Sequence, residues 1–294
     1  MTYLLLAGSL GDQLDALFAS FDYSIFQFFG SIQNDILTFI AKCFTSLGSE
    51  VFVILFALMG AIMILFKRTR KIGFTIVFAV IIGTLVTNVL VKPLVLRIRP
   101  YNTLQSDASF WSWYVGAGMM SESDYCFPSG HTTGVTEIAV ALLICHVKSK
   151  HKSAAAVCWI FPLIAICVGI SRVYLMVHYA TDIIAGFIIG AIAGICGYLL
   201  SCLVCRLTHF EEKHGSLMYV HVRPMAIVAI TLSVVLMFLL AASYVRSTGG
   251  ADAIRCSYEG EYKCQNEAED SDKYPPIDGK YYCKMHWKQL NQGN

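Results

Sequence analysis

Residues 171 to 182, SRVYLMVHYATD, place an arginine, a histidine and an aspartate inside one of the most apolar parts of the chain. Putting such groups near lipid costs several kcal/mol apiece unless they pair or face water, so a functional site is the first reading. His178 and Asp182 are four residues apart, which on a helix puts them on one face and within hydrogen-bonding reach. A carboxylate behind an imidazole fixes its tautomer and favours the imidazolium, the usual way to prepare a histidine as base or nucleophile. A helix-end histidine beside a cap has the same spelling, and this stretch alone does not choose between the two.

Two further stretches carry polar chemistry. In KPLVLRIRP, Lys92 and Arg99 are seven residues apart, two helical turns, so on a helix both cations share a face about 10 Å apart. Pro93 is expected to kink that helix and Pro100 to end it. Ordinary snorkelling of basic side chains at a span end is the alternative. In CFPSGHTT, Pro128, Ser129, Gly130 and His131 precede an apolar run. Small residues before a helix leave backbone N–H groups free at the positive end of its dipole, an anion cradle with His131 beside it. A Pro-Gly turn with a helix cap would read the same way.

The ordered set Lys-x6-Arg-Pro, Pro-Ser-Gly-His and Ser-Arg-x5-His-x3-Asp resembles the type 2 phosphatidic acid phosphatase superfamily, which also includes soluble acid phosphatases and vanadium haloperoxidases. Every defining position is present: Lys92, Arg99, Pro100; Pro128, Ser129, Gly130, His131; Ser171, Arg172, His178, Asp182. The resemblance covers about residues 20 to 205 and implies a division of labour. Lys92, Arg99 and Arg172 clamp phosphate oxygens, with the Ser129 and Gly130 amides adding to the clamp. His178, oriented by Asp182, attacks phosphorus to form a phosphohistidine. His131 protonates the leaving oxygen and then helps activate water. Three cations then do what a metal does elsewhere, so no metal and no cofactor is expected, and vanadate should fit the site. The implied substrate is a lipid phosphate or diphosphate, such as undecaprenyl diphosphate, phosphatidylglycerophosphate or phosphatidate. A lipid phosphotransferase on the same scaffold and a non-catalytic anion-binding membrane protein are the alternatives.

The elements that must position these residues are membrane helices. The 294 residues are 56% hydrophobic and 14% charged, against roughly 25% charged in soluble domains, and the mean hydropathy is +0.60. Those values favour a polytopic membrane protein. A net charge of +2 with no dense basic tract gives no nucleic-acid partner. The opening MTYLLLAGSLGDQ lacks the basic region of a signal peptide. The expected fold class is all-α: a polytopic transmembrane helix bundle of about six spans, with an amphipathic N-terminal region and a small extracytoplasmic C-terminal tail. Spans are placed at 49–66, 72–97, 132–147, 154–171, 180–205 and 224–246. The corresponding units are 1–48 (interfacial helices), 49–205 (catalytic bundle), 206–246 (cytoplasmic loop and further span) and 247–294 (polar tail). Residues 34–47 could instead cross.

Connections rich in Lys67, Arg68, Arg70 and Lys71, and in Lys148, Lys150 and Lys152, read as cytoplasmic by the positive-inside rule. Residues 98–131, 172–179 and the tail are then outside, placing the site on the extracytoplasmic side of the cell membrane. Its partners are the lipid substrate and membrane lipids, and the oligomeric state is open.

The remaining features have structural readings first. Gly186, Gly190 and Gly194 would let helices pack closely. Phe110, Trp111, Trp113 and Tyr114 read as an aromatic belt at the interface, or as a guide for a lipid. Glu137 reads as second to His131 or as facing a polar crevice. In the tail, a disulfide using two of Cys256, Cys264 and Cys283 is the leading expectation; Cys283 with His286 makes a CxxH whose wider spacing is poor for zinc.

Overall fold

Several helices start where a side chain satisfies one of their first amides. The computed structural model describes residues 9–67, 69–148, 159–208, 254–260, 263–268 and 273–291. Helix α1 (Leu10–Ser31) opens with a capping box between Ser9 and Asp12. In α2 (Asp35–Leu47), Asn34 accepts from the Leu37 amide at 2.9 Å. Helices α3 (Glu50–Ile64) and α4 (Arg70–Thr84) follow. A π-helical turn, Leu85–Val91, then leads into α5 (Lys92–Val95). Pro93 cannot donate to the carbonyl a turn behind it, and the widened turn directly precedes it. Short helices α6 (Pro100–Thr103) and α7 (Ala108–Gly116) follow, with α7 packed against α1. The rest is α8 (Gly130–Val147), α9 (Ile160–Tyr174), α10 (Ala180–Leu207) and, in the tail, α11 (Lys284–Asn291).

Among the described residues, four helical stretches are long and apolar enough to cross a membrane: Asp35–Ile64, Arg70–Thr103, Gly130–Val147 and Ala180–Leu207. Ile160–Tyr174 is a shorter apolar helix in the place of the fourth expected span. The expected span at 224–246 lies outside the described residues. Helix α2 stays at one end of the bundle, because Thr38 meets Tyr174 at 3.1 Å and Thr45 meets Arg172 at 2.7 Å. Gly48 lets the α2–α3 junction approach closely, since a Cβ there would lie 2.7 Å from Val168 and 3.1 Å from His131. Residues 35–47 belong to the apolar stretch Asp35–Ile64, so length and composition also allow the alternative in which they cross.

Helix α10 packs against α4 and α8 through its glycines, as their spacing implied. A Cβ on Gly190 would come within 2.7 Å of the Thr133 carbonyl and of Thr136, and one on Gly194 within 2.8 Å of Val140. On its outer face Ile184, Ile188, Ile192, Leu199 and Leu203 are exposed, the surface a lipid-facing helix requires.

Three expectations need correction. The chain leaves the helix at Leu96, whose φ is 57°, so Lys92 and Arg99 do not share a helical face, and Pro100 starts a helix instead of ending one. Phe110 and Tyr114 form no belt: both are buried, Phe110 edge-on to Phe26 and Tyr114 stacked on Tyr101. In the tail, none of Cys256, Cys264 and Cys283 is in a disulfide; their sulfurs converge on His286.

Candidate active site

The ends of α5 and α9 and the starts of α8 and α10 meet at one end of the bundle, and every motif residue lies there. His178 precedes α10, while Asp182 is the third residue of that helix and caps it, accepting from the Tyr179 amide at 3.0 Å. The pair does not share a helical face as expected, yet His178 Nδ1 lies 3.2 Å from Asp182 Oδ2. The turn that closes this distance passes through Met176, whose φ is 59°.

The other ring nitrogen, Nε2, lies 3.2 Å from Arg99 Nη1. A guanidinium only donates, so Nε2 is the acceptor and Nδ1–H points at Asp182. Burial and the charge of Arg99 together push His178 down to about 4 despite Asp182, which leaves the imidazole neutral with its Nε2 lone pair toward the cations.

Arg99 meets that nitrogen directly, and Lys92 and Arg172 join it through two shared carboxylates. Arg99 donates through Nη2 to Glu122 and Asp124, both at 2.6 Å, and through Nε to the Asp124 carbonyl at 2.9 Å. Lys92 pairs with Asp124, and Arg172 pairs with Glu122. Arg172 Nε is buried without a hydrogen-bond partner. His131, the second residue of α8, has its Nδ1 3.8 Å from Glu122 Oε1 and keeps 22% of its side chain exposed. Burial opposes the charge of Glu122, but Arg172 and Arg99 outweigh it and hold the carboxyl well below its ordinary range. Lys92 and Arg99 likewise bring Asp124 down to about 2 against its burial. The two carboxylates thus sit ionised among Lys92, Arg99 and Arg172.

Ser129 differs from expectation. Its amide donates to the Asp182 carbonyl at 3.2 Å, tying the start of α8 to α10, and its hydroxyl accepts from Thr132. Gly130 opens the helix with Lys92 Nζ nearby: a Cβ there would lie 3.8 Å from it.

Residues 72–204 match the PAP2 superfamily. The chain is 32% identical over 164 residues to phosphatidylglycerophosphatase B of Bacillus subtilis, an alignment covering 53% of this chain and 70% of that protein. The chain belongs to the PAP2 superfamily. It is also 35% identical over 135 residues to the undecaprenyl-diphosphatase of Sulfolobus acidocaldarius, covering 45% of this chain and 56%, just over half, of that relative. A crystal structure of a transmembrane PAP2-type phosphatidylglycerolphosphate phosphatase from Bacillus subtilis superimposes with a TM-score of 0.53 at 28% identity, over 66% of this chain and 92% of that one. With its apolar helices, this makes the chain a multi-pass membrane protein with the PAP2 membrane-phosphatase fold.

Around the PAP2 motifs stand residues that sequence reasoning missed. Arg97 is fully buried and reaches Asp182 Oδ1 at 2.6 Å, Asp22 at 2.8 Å and Asp15 at 2.7 Å, with the Tyr179 ring 3.8 Å from its guanidinium. The N-terminal helix α1 therefore helps to fix the carboxylate behind His178. A signal existed: Asp15 and Asp22 are seven apart on α1, and Arg97 is a cation in an apolar run. Cys126 Sγ lies 2.7 Å from Asp182 Oδ2; burial and that carboxylate push the thiol well up, so it remains a neutral donor. Glu122 and Asp124 were visible only as charges in a loop. Glu137 is buried on α8, and its Oε2 has no hydrogen-bond partner; the side chain packs at Gly83, not at a polar crevice. Behind the site, a cavity of about 590 Å³ is bordered by Asp15, Asp22, Arg97 and Tyr179 and includes neither His131 nor His178.

Proposed function

We propose that the chain is an integral-membrane phosphatase that releases orthophosphate from a lipid phosphate or diphosphate through a phosphohistidine at His178. The observation that carries this reading is the convergence of Lys92, Arg99 and Arg172 on two carboxylates beside His178 Nε2. Carboxylate oxygens there stand in for phosphate oxygens, since both are anions suited to forked guanidinium donors. The unpartnered Arg172 Nε adds a further buried donor for the same group.

In the first half-reaction, His178 Nε2 forms a bond to phosphorus while the bond to the lipid oxygen breaks. His131 gives that oxygen its proton. In the second, His131 takes a proton from water, which attacks phosphorus and returns free His178 with orthophosphate. Asp182, steadied by Arg97 and Cys126, holds the Nδ1 proton and stabilises the charge on the ring. Lys92, Arg99, Arg172 and the Gly130 amide bind the phosphoryl oxygens and need no metal to do so. Because the site lies at the ends of membrane helices, a substrate can present its headgroup with its tail still in lipid. The basic 67–71 connection argues for the extracytoplasmic face.

Polyprenyl diphosphates are the first substrates to test, since a relative bears the name undecaprenyl-diphosphatase; phosphatidylglycerophosphate and phosphatidate follow. The test is a panel of these lipids assayed in detergent, without added metal, for orthophosphate release. Release from at least one lipid that vanadate inhibits is expected. Phosphate appearing only on an added lipid hydroxyl would make the chain a phosphotransferase. Silence on every lipid would return the reading to anion binding.

A further inference from the structure

The C-terminal tail holds a second chemical centre that the phosphatase reading does not use. Cys256, Cys264, Cys283 and His286 are buried, and their ligand atoms all lie within 4.8 Å of one another. Cys256 Sγ is 3.4 Å and Cys283 Sγ 3.3 Å from the same atom, His286 Nδ1. A neutral ring nitrogen has one lone pair and cannot serve two thiol donors well. A tetrahedral cation accounts for the spacing better. Metal–sulfur bonds of about 2.3 Å and a metal–nitrogen bond of about 2.0 Å put sulfur and nitrogen about 3.5 Å apart. We infer that this cluster is a structural zinc site with a Cys₃His ligand set. It goes beyond the phosphatase reading and does not depend on it.

The surroundings are those of a closed metal site. The Asn266 side-chain amide donates to Cys283 Sγ at 3.5 Å, the outer contact that steadies a thiolate ligand. The Tyr258 ring stacks on His286 with centroids 3.8 Å apart and fixes the imidazole plane. Ile98, Tyr125 and Tyr282 pack around the cysteines. The tail's described residues fall between 254 and 291 and show only isolated β-bridges and one short helix. A unit below about 40 residues has too little core to hold itself and needs a metal, a disulfide or a partner. With no disulfide among these cysteines, a metal would add to the few contacts the tail makes with the bundle. Three thiols would lose their protons to solvent on binding, and His286 would bind through neutral Nδ1.

The site also has a place in the molecule. Asn266 accepts from Tyr101 at 3.0 Å and Asn102 at 2.9 Å, directly after Arg99 and Pro100. The Met285 amide donates to the Ser123 carbonyl at 3.3 Å, Arg255 donates to the Met119 carbonyl at 3.0 Å, and Arg255 also bonds to Ser121. Zinc would therefore staple the tail onto the loop that carries Glu122 and Asp124.

The test uses the full-length protein purified in detergent without chelators, with zinc measured by plasma mass spectrometry. About one zinc per chain is expected, lost in Cys264→Ser and kept in Cys196→Ser. Should Cys264→Ser fail to fold, wild-type protein from cobalt-supplemented cells decides, because a Cys₃His site gives the absorption bands of tetrahedral thiolate-bound cobalt. A wild-type chain without zinc or those bands, or a disulfide between two of the three tail cysteines, would overturn the site. None of these readouts depends on turnover, so an inactive but zinc-loaded protein would count against the phosphatase reading alone.

Discussion

Glu122 makes the residue scale informative, because its carboxylate bridges Arg99 and Arg172 and lies beside His131. If it stands where phosphate binds, it competes with every anionic ligand. Glu122→Gln should then tighten vanadate inhibition by about tenfold, the scale of one charge-assisted hydrogen bond near 1.5 kcal/mol. Weaker inhibition would show instead that Glu122 holds the arginines in place for the substrate. That Lys92, Arg99, His131, Arg172, His178 and Asp182 come together was legible in the sequence, because their types and spacings are demanding. Cys126 and Glu122 were not legible, and Arg97 showed only as a cation in an apolar run, since their partners lie tens of residues away and only the folded chain pairs them.

At the scale of elements, hydropathy located the helices but not their bends. The sequence placed Lys92 and Arg99 on one helix; a left-handed Leu96 breaks it and lets both side chains converge on Asp124 from different directions. His178 and Asp182 were spaced for a helix, yet a capped helix start brings them together. The glycine row on α10 was legible because close helix packing tolerates little else. Gly190→Val should cost about 1–3 kcal/mol or more by overpacking, since its Cβ would meet the Thr133 carbonyl and Thr136 at 2.7 Å. A markedly lower melting temperature in detergent is expected. Ile188→Val, on the exposed face of the same helix, should change it little. Equal, small shifts for both would mean that α10 does not pack this tightly.

For the whole molecule, the charge pattern of the connections supplied an orientation that contacts alone do not. The loop of Ser106 lies at the site end and Lys67 in the basic connection at the opposite end of α4, and both residues are exposed. A membrane-impermeant thiol reagent on intact cells should label Ser106→Cys above the parent protein and Lys67→Cys only after lysis. The reverse pattern would put the site on the cytoplasmic side. Least legible was the tail. Its ligands are 8, 19 and 3 residues apart, outside the short-loop spacings that announce a metal, so a disulfide was the natural expectation. Local turns bring the four together, and the tail then closes over the rim of the bundle.

The central claim is that His178 carries the phosphoryl group while His131 moves the proton. Removing a general acid and base costs about 10²- to 10⁴-fold, but less for formation of the intermediate when the leaving group departs without a proton. An aryl phosphate with an acidic phenol, labelled in the phosphoryl group, should therefore load His131→Ala and leave it stalled. Quenching and peptide mapping should find acid-labile, alkali-stable phosphate on the peptide containing His178, more in His131→Ala than in wild type and none in His178→Ala. Label retained in His178→Ala, or found on His131, would contradict the assignment.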